Sequence, residues 1–317
     1  MPATAVIIVN YRSAGLVIDC LRSLGPEVAD NPGMRVIVAD NASGDGSVAM
    51  LRRAIADARW AWAEVLPLDR NGGFAFGNNA AVRHLLAAAE PPEFFWLLNP
   101  DTVVRPGAAR PLIALLMACP DVGIVGGGLE DPEGSRQTSA FRFPTILGEL
   151  EITLRLGIVT RLLERFRIPT PPTGRAHRTD WVNGASMMVR RSVFDSIGVM
   201  DDRFFLYFEE TDFCRRARRA GWTVWHEPAS RVVHLEGQTT GVTGAARTTK
   251  RRPAYWFDSR TRYFRKHLGR TAAFVADVVH LTGLFGWKAY SRLRAKADPD
   301  PPHLMADFAR HAARSWI

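Results

Sequence analysis

The chain has 317 residues, 47% hydrophobic and 23% charged, with a formal net charge of +9; that length supports one large domain or two modest ones, and the composition excludes a disordered or fibrous chain. Cys20, Cys119 and Cys214 are too scattered for a close-spaced zinc site and too few for a disulfide framework, so a reducing, cytoplasmic compartment is expected. No short-period repeat marks a solenoid, and MPATAVIIVNYRS lacks the basic start and small-residue cleavage pattern of a signal peptide, so the chain is expected to stay inside the cell.

Ala5 to Val9 is an unbroken apolar run that predicts a buried strand. Leu16, Val17, Cys20, Leu21 and Leu24 follow at helical spacing behind Ser13, a residue type that caps helices. Val36 to Ala39 predicts a second strand ending at Asp40, then the turn NASGDGS and a helical pattern through Val48, Leu51 and Ile55. A third short strand near Val65 leads through the Gly- and Asn-rich RNGGFAFGNN into another helix. Phe94 to Leu98 is a fourth, continuously apolar strand that stops at Asn99, Pro100 and Asp101. Strands alternating with helices at this spacing argue for an α/β fold with a mostly parallel sheet flanked by helices. Such sheets bind ligands at the carboxyl ends of their strands.

The strand ends therefore carry the first functional signal. Asn10 with Tyr11, Asp40 with Asn41, Asn71 with Gly72 and Gly73, and Asn99 with Asp101 close four successive strands in polar groups. Each is also an ordinary turn residue, and it is their coincidence in order that points to a ligand. No GxGxxG follows the first strand and no GxxxxGK[ST] occurs, which leaves the dinucleotide fingerprint and the P-loop unsupported. Further along, FFLYFEETDFCRRARRAG gathers Glu209, Glu210 and Asp212. On a helix, Glu209 and Asp212 share a face with Arg216, while Glu210 points about a quarter turn away. The three acids form either a catalytic cluster or a solvated ion-pair helix with Arg215, Arg216, Arg218 and Arg219.

Taken together, VIIVNYRSAGLVIDCLRSL, VIVADNASGDGS, LDRNGGFAFGNNAAV, FFWLLNPDTVV, LEDPEGSRQTSAFRFP, VNGASMMVRRSVFDSIGVMDDRFFLYFEETDFCRRARRAGW and VVHLEGQTTG resemble the inverting family 2 glycosyltransferases of the GT-A fold. Within that family the chain looks most like the bacterial rhamnosyltransferases acting on polyprenyl-diphosphate-linked GlcNAc. The resemblance implies a catalytic domain over residues 1–246 and a nucleotide-diphosphate sugar donor, foremost L-rhamnose from dTDP-rhamnose. It implies a polyprenyl-diphosphate-linked or other cell-envelope glycan acceptor. Relatives with this pattern also use other hexose or galactofuranose donors and polysaccharide or protein acceptors.

Roles follow by position. The resemblance places Asn10, Tyr11 and Asp40, with Asn41, around base and ribose, where a carboxylate accepts hydroxyls and Tyr11 offers a stacking face. Asn71, Gly73, Phe74 and Asn78 border nucleotide and sugar. The family's Asp-x-Asp metal motif stands here as Asn99-Pro100-Asp101, so a Mg²⁺ or Mn²⁺ ion would draw more of its coordination from the diphosphate. His234 matches the position where relatives place a histidine near the diphosphate or metal. Of the acidic cluster over the sugar, Glu210 matches the general base, with Glu where relatives have Asp, and Glu209 and Asp212 complete the catalytic set. Trp181, Asn183 and Gly184 fall in the turn that binds acceptor in relatives; Trp181 is otherwise core packing.

The excess charge sits near the C-terminus: residues 1–246 hold 26 Lys and Arg against 27 Asp and Glu, and residues 247–296 hold 13 against 2. Residues 247–317 are therefore expected to form a basic helical extension. Phe274, Val278, Leu281 and Phe285 line one helical face. Asp277 and His280 interrupt the apolar stretch from Thr271 to Trp287, which argues against a transmembrane helix. Peripheral attachment to the anionic inner face of the cell membrane fits the basic flanks and Trp256, Phe257, Tyr263 and Trp287. A homodimer through the same face is the rival. A non-catalytic nucleic-acid-binding protein driven by the basic stripe is the remaining reading, and the ordered polar strand ends argue against nucleic acid as a partner.

Overall fold

The computed structural model describes residues 3–235 and 250–316. They fall into two compact units, one of residues 3–141 and 171–235, the other of residues 142–170 and 250–316. The domain boundary expected at residue 246 and the EGQTTG end of the last resembling stretch lie outside the described residues.

The first unit begins with β1 (Thr4–Asn10), α1 (Ala14–Asp30), β2 (Arg35–Asp40), α2 (Ser47–Asp57), β3 (Ala63–Pro67), α3 (Gly73–Leu86) and β4 (Phe94–Leu98). It continues through β5 (Thr102–Val104), α4 (Ala109–Ala118), β6 (Val122–Glu130), β7 (Arg136–Gln137) and β8 (Ala140–Phe141). The second unit then takes α5 (Ile146–Leu154), α6 (Gly157–Leu162) and a 3₁₀ turn, Glu164–Phe166. The chain returns to the first unit with β9 (His177–Thr179), β10 (Trp181–Val182), β11 (Ser186–Arg190), α7 (Arg191–Ile197), α8 (Glu209–Arg219) and β12 (Thr223–His234).

The main sheet has the order β3-β2-β1-β4-β11-β6-β12-β5. β1 runs parallel to both β2 and β4, β2 to β3, and β6 to β12. β11 enters antiparallel between β4 and β6, and β5 closes the edge antiparallel to β12. Strands covered on both faces read as continuous apolar runs, which is why every residue of β1 and of the FFWLL segment of β4 is buried. Val17, Leu21 and Leu24 of α1 and Leu112 and Leu116 of α4 join Val6, Ile8, Phe94 and Trp96 in one core. Parallel register sets Asn10 opposite Asp40 and Ile8 opposite Leu98, so the polar residues ending β1, β2 and β4 emerge along one edge. Ser13 stands before α1 without capping it through its side chain. Its hydroxyl donates instead to Asn10 Oδ1 at 2.9 Å, drawn by the polar cluster at that edge.

In the second unit, α9 (Ala254–Leu293) and α10 (Leu304–Trp316) pack through Phe257, Leu284, Leu304, Phe308 and Ala312. Gly269, at φ 83°, breaks α9 into two helical pieces. By length and composition alone α9 is long and apolar enough to cross a membrane. Asp277 and His280, the interruptions in its apolar run, are buried in a charged cluster. Arg260, 1% exposed, donates to Glu149 Oε2 from Nε at 3.0 Å and Nη2 at 2.7 Å, and from Nη1 to Asp277. His280 Nδ1 lies 2.7 Å from the same Glu149 oxygen, and Trp316 Nε1 donates to Asp277 at 2.8 Å. Burial raises the Glu149 carboxyl, but Arg260 and His280 outweigh it and hold its pKa down at about 2.

Candidate active site

At the ends of β1 and β2 the side chains form a closed network. Asn10 Nδ2 donates to Asp40 Oδ2 at 2.6 Å, and the Ser43 hydroxyl donates to the same oxygen at 2.7 Å. The Ser43 backbone N–H donates to Asp40 Oδ1 at 3.0 Å. Arg12 follows with a left-handed backbone at φ 53°; its N–H donates to Ser43 Oγ at 2.9 Å and its guanidinium lies 5.2 Å from the centre of the Tyr11 ring. Asn10 and Asp40 are thus rigidly placed and buried, while Tyr11 is exposed. Ser43 is the residue that sequence reasoning passed over here; its signal was the Asp-x-x-Ser spacing of a turn in which the hydroxyl and N–H both return to the carboxylate.

The turn into α3 is fixed by the loop before α8. Gly73 has φ 87°, and a Cβ there would fall 1.9 Å from the Phe205 carbonyl oxygen, so both backbone angle and space demand glycine. Phe74 N–H donates to that carbonyl at 2.9 Å, Gly73 N–H to Asn71 Oδ1 at 3.1 Å, Asn41 Nδ2 to the Gly73 carbonyl at 2.9 Å, and Asn78 Nδ2 to the Phe74 carbonyl at 3.0 Å. Gly73 therefore meets Asn41, Gly73 and Phe74 meet the strap of residues 201–208, and Asn71 and Asn78 bond within the turn itself. That strap ends in two consecutive left-handed residues, Tyr207 at φ 70° and Phe208 at φ 68°, a conformation that costs energy outside glycine and clusters at functional sites.

The strained pair delivers Glu209 and Glu210 to the first turn of α8. A Cβ on Gly184 would come within 3.2 Å of the Phe74 ring and 3.9 Å of Glu210 Oε1, so the two turns and the carboxylate converge. Glu210 accepts from the Gly184 and Thr211 backbone N–H groups, yet burial outweighs them and raises its pKa to about 7. The residue keeps part of its surface open, but its Oε2 atom is buried without a hydrogen-bond partner. Glu209 is 2% exposed; burial first, and the neighbouring Glu210 charge second, push its carboxyl well above the ordinary range. Asp212 is differently placed. It pairs with Arg216 at 2.9 Å, whose other nitrogens donate to the Ile197 and Val199 carbonyls at 2.8 Å, anchoring α8 to the end of α7 and the turn that follows it.

Asn99, Asp101 and His234 also come together. Asn99 Nδ2 is 3.3 Å from His234 Nε2, and that nitrogen is 3.5 Å from Asp101 Oδ1. Strand pairing makes this possible: His234 ends β12 opposite Thr102 of β5. Among the described residues no group of three or more His, Cys, Asp or Glu side chains is gathered for a metal. The set here is one carboxylate, one imidazole and one amide, whose Oδ1 and Nδ2 exchange places by a simple flip. Those donors suit a Mg²⁺ or Mn²⁺ ion completed by diphosphate oxygens.

In the turn that leads to Gly184, Trp181 stacks on Phe141 with ring centres 4.2 Å apart, which fixes its plane. The Asn183 side chain accepts from Ala185 N–H at 2.8 Å, and its backbone N–H donates to Ser139 at 3.1 Å. The Ser139 hydroxyl lies 2.8 Å from His226 Nε2, a histidine held to a pKa of about 4 by burial and by His177 and Arg136. Ser139 and His226, a support for the Asn183 turn, gave no signal in the sequence because 87 positions separate them.

Comparison with known proteins agrees with this architecture. The family profile "Glycosyltransferase like family 2" matches residues 2–266. The N-acetylglucosaminyl-diphospho-decaprenol L-rhamnosyltransferase of Mycobacterium tuberculosis is 29% identical over 252 residues, 74% of this chain and 77% of its own. Rhamnosyltransferase WbbL of Escherichia coli K12 is 25% identical over 168 residues, 51% of this chain and 60% of its own. A mannosyltransferase of Pyrobaculum calidifontis, solved with GDP-Man and Mn²⁺, superposes with a TM-score of 0.58 at 16% identity, over 100% of this chain and 81% of its own.

Proposed function

Because this chain belongs to glycosyltransferase family 2, we propose that it moves a sugar, foremost L-rhamnose from dTDP-rhamnose, onto a hydroxyl of a polyprenyl-diphosphate-linked glycan acceptor at the inner face of the cell membrane. The observation that carries this reading is Glu210: a buried carboxylate with a pKa of about 7, set beside Gly184 and the Phe74 ring. A base with that pKa is deprotonated often enough to act and basic enough to take a proton. The acceptor oxygen attacks the anomeric carbon in line and with inversion. Its proton goes to Glu210, the bond from the anomeric carbon to phosphate oxygen breaks, and the nucleoside diphosphate leaves.

Asn10, Asp40 and Asn41 hold base and ribose in this reading, with Tyr11 stacking, and the backbone of residues 71–74 with Asn78 borders diphosphate and sugar. Glu209, its buried carboxyl pushed well above the ordinary range, completes the acidic pair over the sugar, and Asp212 positions the pair by anchoring α8. Asp101, His234 and Asn99 would hold a Mg²⁺ or Mn²⁺ ion, which supplies positive charge against the charge developing on the leaving diphosphate. Trp181, Asn183 and Gly184 form the floor for the acceptor sugar. The name of the mycobacterial relative supports both the rhamnosyl donor and the lipid-linked acceptor.

The test is a thermal-shift panel of nucleotide sugars with and without Mn²⁺, followed by product analysis with a short-chain prenyl-diphosphate GlcNAc. Stabilisation by dTDP-rhamnose, a rhamnosylated product, and loss of most activity in Asp101→Asn or in EDTA are expected. Turnover with another donor alone would move the assignment within the family. Full activity in EDTA would remove the metal role.

A further inference from the structure

The second unit has its polarity partly inside out. From Thr271 to Ser291 the exposed residues of α9 are Thr271, Phe274, Val275, Val278, Thr282, Phe285 and Ala289, with Phe285 66% exposed. None is charged. The ionisable residues of that stretch turn the other way: Asp277 and His280 are buried against Arg260, Glu149 and Trp316, and Lys288 is half-buried and reaches Asp298 at 3.8 Å. At 100° per residue, Thr271, Phe274, Val278, Thr282, Phe285 and Ala289 form one stripe opposite the face that holds His280, Gly283 and Trp287. A helix of a water-soluble unit normally turns its charges outward and its apolar stripe inward, and an exposed apolar stripe of this length marks a contact surface.

We propose that this stripe of α9 lies on an anionic lipid bilayer, along its surface and not across it. Charge chooses the partner. The described residues of this unit, 142–170 and 250–316, hold 19 Lys and Arg against 8 Asp and Glu, and exposed basic residues frame the stripe, Arg270 at one end and Arg292, Arg294 and Lys296 at the other. Basic side chains beside an apolar helical face bind anionic headgroups while the apolar side chains enter the acyl boundary. A second copy of the chain would bring two strongly basic surfaces together. Packing chooses the orientation: the opposite face of α9 is covered by α5 and α10 and pinned by Arg260 and Glu149, so the helix has one apolar side to offer, whatever its length allows. Ile158 and Leu162 of α6, at i and i+4 and more than three-quarters exposed beside Arg161, have the same character. The proposal deepens the inner-face placement above; it rests on the lipid-linked acceptor for its purpose and on the second unit alone for its geometry.

Co-sedimentation of the full chain with sucrose-loaded vesicles tests it. The protein should sediment with phosphatidylglycerol-containing vesicles, weakly with phosphatidylcholine alone, and leave the vesicles under alkaline carbonate. Val278→Asp with Phe285→Asp should weaken the partition by about tenfold or more, with an unchanged thermal midpoint and unchanged turnover of a water-soluble acceptor. Arg292→Glu with Arg294→Glu, which leaves the stripe intact, should weaken it and steepen its salt dependence. The proposal is overturned if wild type ignores both vesicles, if it resists carbonate as a spanning helix does, or if the apolar double variant sediments like wild type. Conversion of a dimer to a monomer by that variant, with vesicle binding intact, would assign the face to a second copy instead. Absence of turnover on the soluble acceptor by wild type would defeat the transferase reading while leaving the vesicle result to stand separately.

Discussion

Two clusters of buried carboxylates, one in each unit, have opposite electrostatics. Around Glu149 and Asp277, Arg260 and His280 supply the missing water's role, and Glu149 titrates at about 2. Around Glu209 and Glu210, no basic side chain among the described residues forms an ion pair with either, and burial raises both, Glu210 to about 7. Burying a charge is costly unless it is paired. The paired cluster is therefore stable in its charged form and serves the fold. In the unpaired one Glu210 stays poised between protonation states, which a proton acceptor requires and a structural element does not.

That comparison is most sharply broken by substituting one member of each cluster. Glu210→Gln keeps shape and removes the acceptor, so kcat should fall by about 10² to 10⁴ with donor affinity nearly unchanged; single-turnover rates and donor titration would measure both. Arg260→Met leaves Glu149 and Asp277 buried without their cation and should destabilise the second unit by about 3–5 kcal/mol, read by denaturant unfolding. If the two substitutions exchanged effects, stability for one and rate for the other, the division of roles would fail.

A smaller effect separates the clusters by the sign of their pH dependence. Glu210 binds its proton more tightly folded than unfolded, so its contribution to stability is complete below about 4.5 and is lost as pH rises through about 7. Glu149 is the reverse: its contribution is present above about 4.5 and lost as pH falls towards about 2. Thermal midpoints across this range should lose their near-neutral decline in Glu210→Gln and part of their acid limb in Glu149→Gln. The smallest effect belongs to a pair in water. Arg22 and Asp19 on α1 are both more than half exposed, so Arg22→Ala should cost about 0–1 kcal/mol in the same unfolding assay.

Three strands of the parallel half, β1, β2 and β4, were readable because each carries an apolar run that stops abruptly at a polar residue, and Phe94 to Leu98 matches β4 residue for residue; β3, Ala63–Pro67, instead carries Glu64 and stops at Pro67, short of the Asn71 turn expected to close it. Local spacing also put Asp212 and Arg216 on one face, where they pair. What sequence could not convey was contact across long separations. Glu149 and Arg260 lie 111 positions apart, so residues 142–170 gave no sign of joining the C-terminal helices, and Asp277 and His280 read as interruptions in an apolar run when they are the filling of a core. The antiparallel entry of β11 between β4 and β6 is likewise a pairing of distant segments. Acidic residues in a candidate site were legible by type; whether a cation reached them was not, and that is the property separating Glu210 from Glu149.

The pH profile of kcat with saturating donor and acceptor tests the central claim most directly. With Glu210 as the base, the rate should rise by about tenfold per pH unit below 7 and level off above it, because only the deprotonated carboxylate accepts the proton. Glu210→Gln should run flat across the same range at its lower rate. A limb near 7 that survives in Glu210→Gln, or a wild-type rate already level down to pH 5, would contradict the assignment.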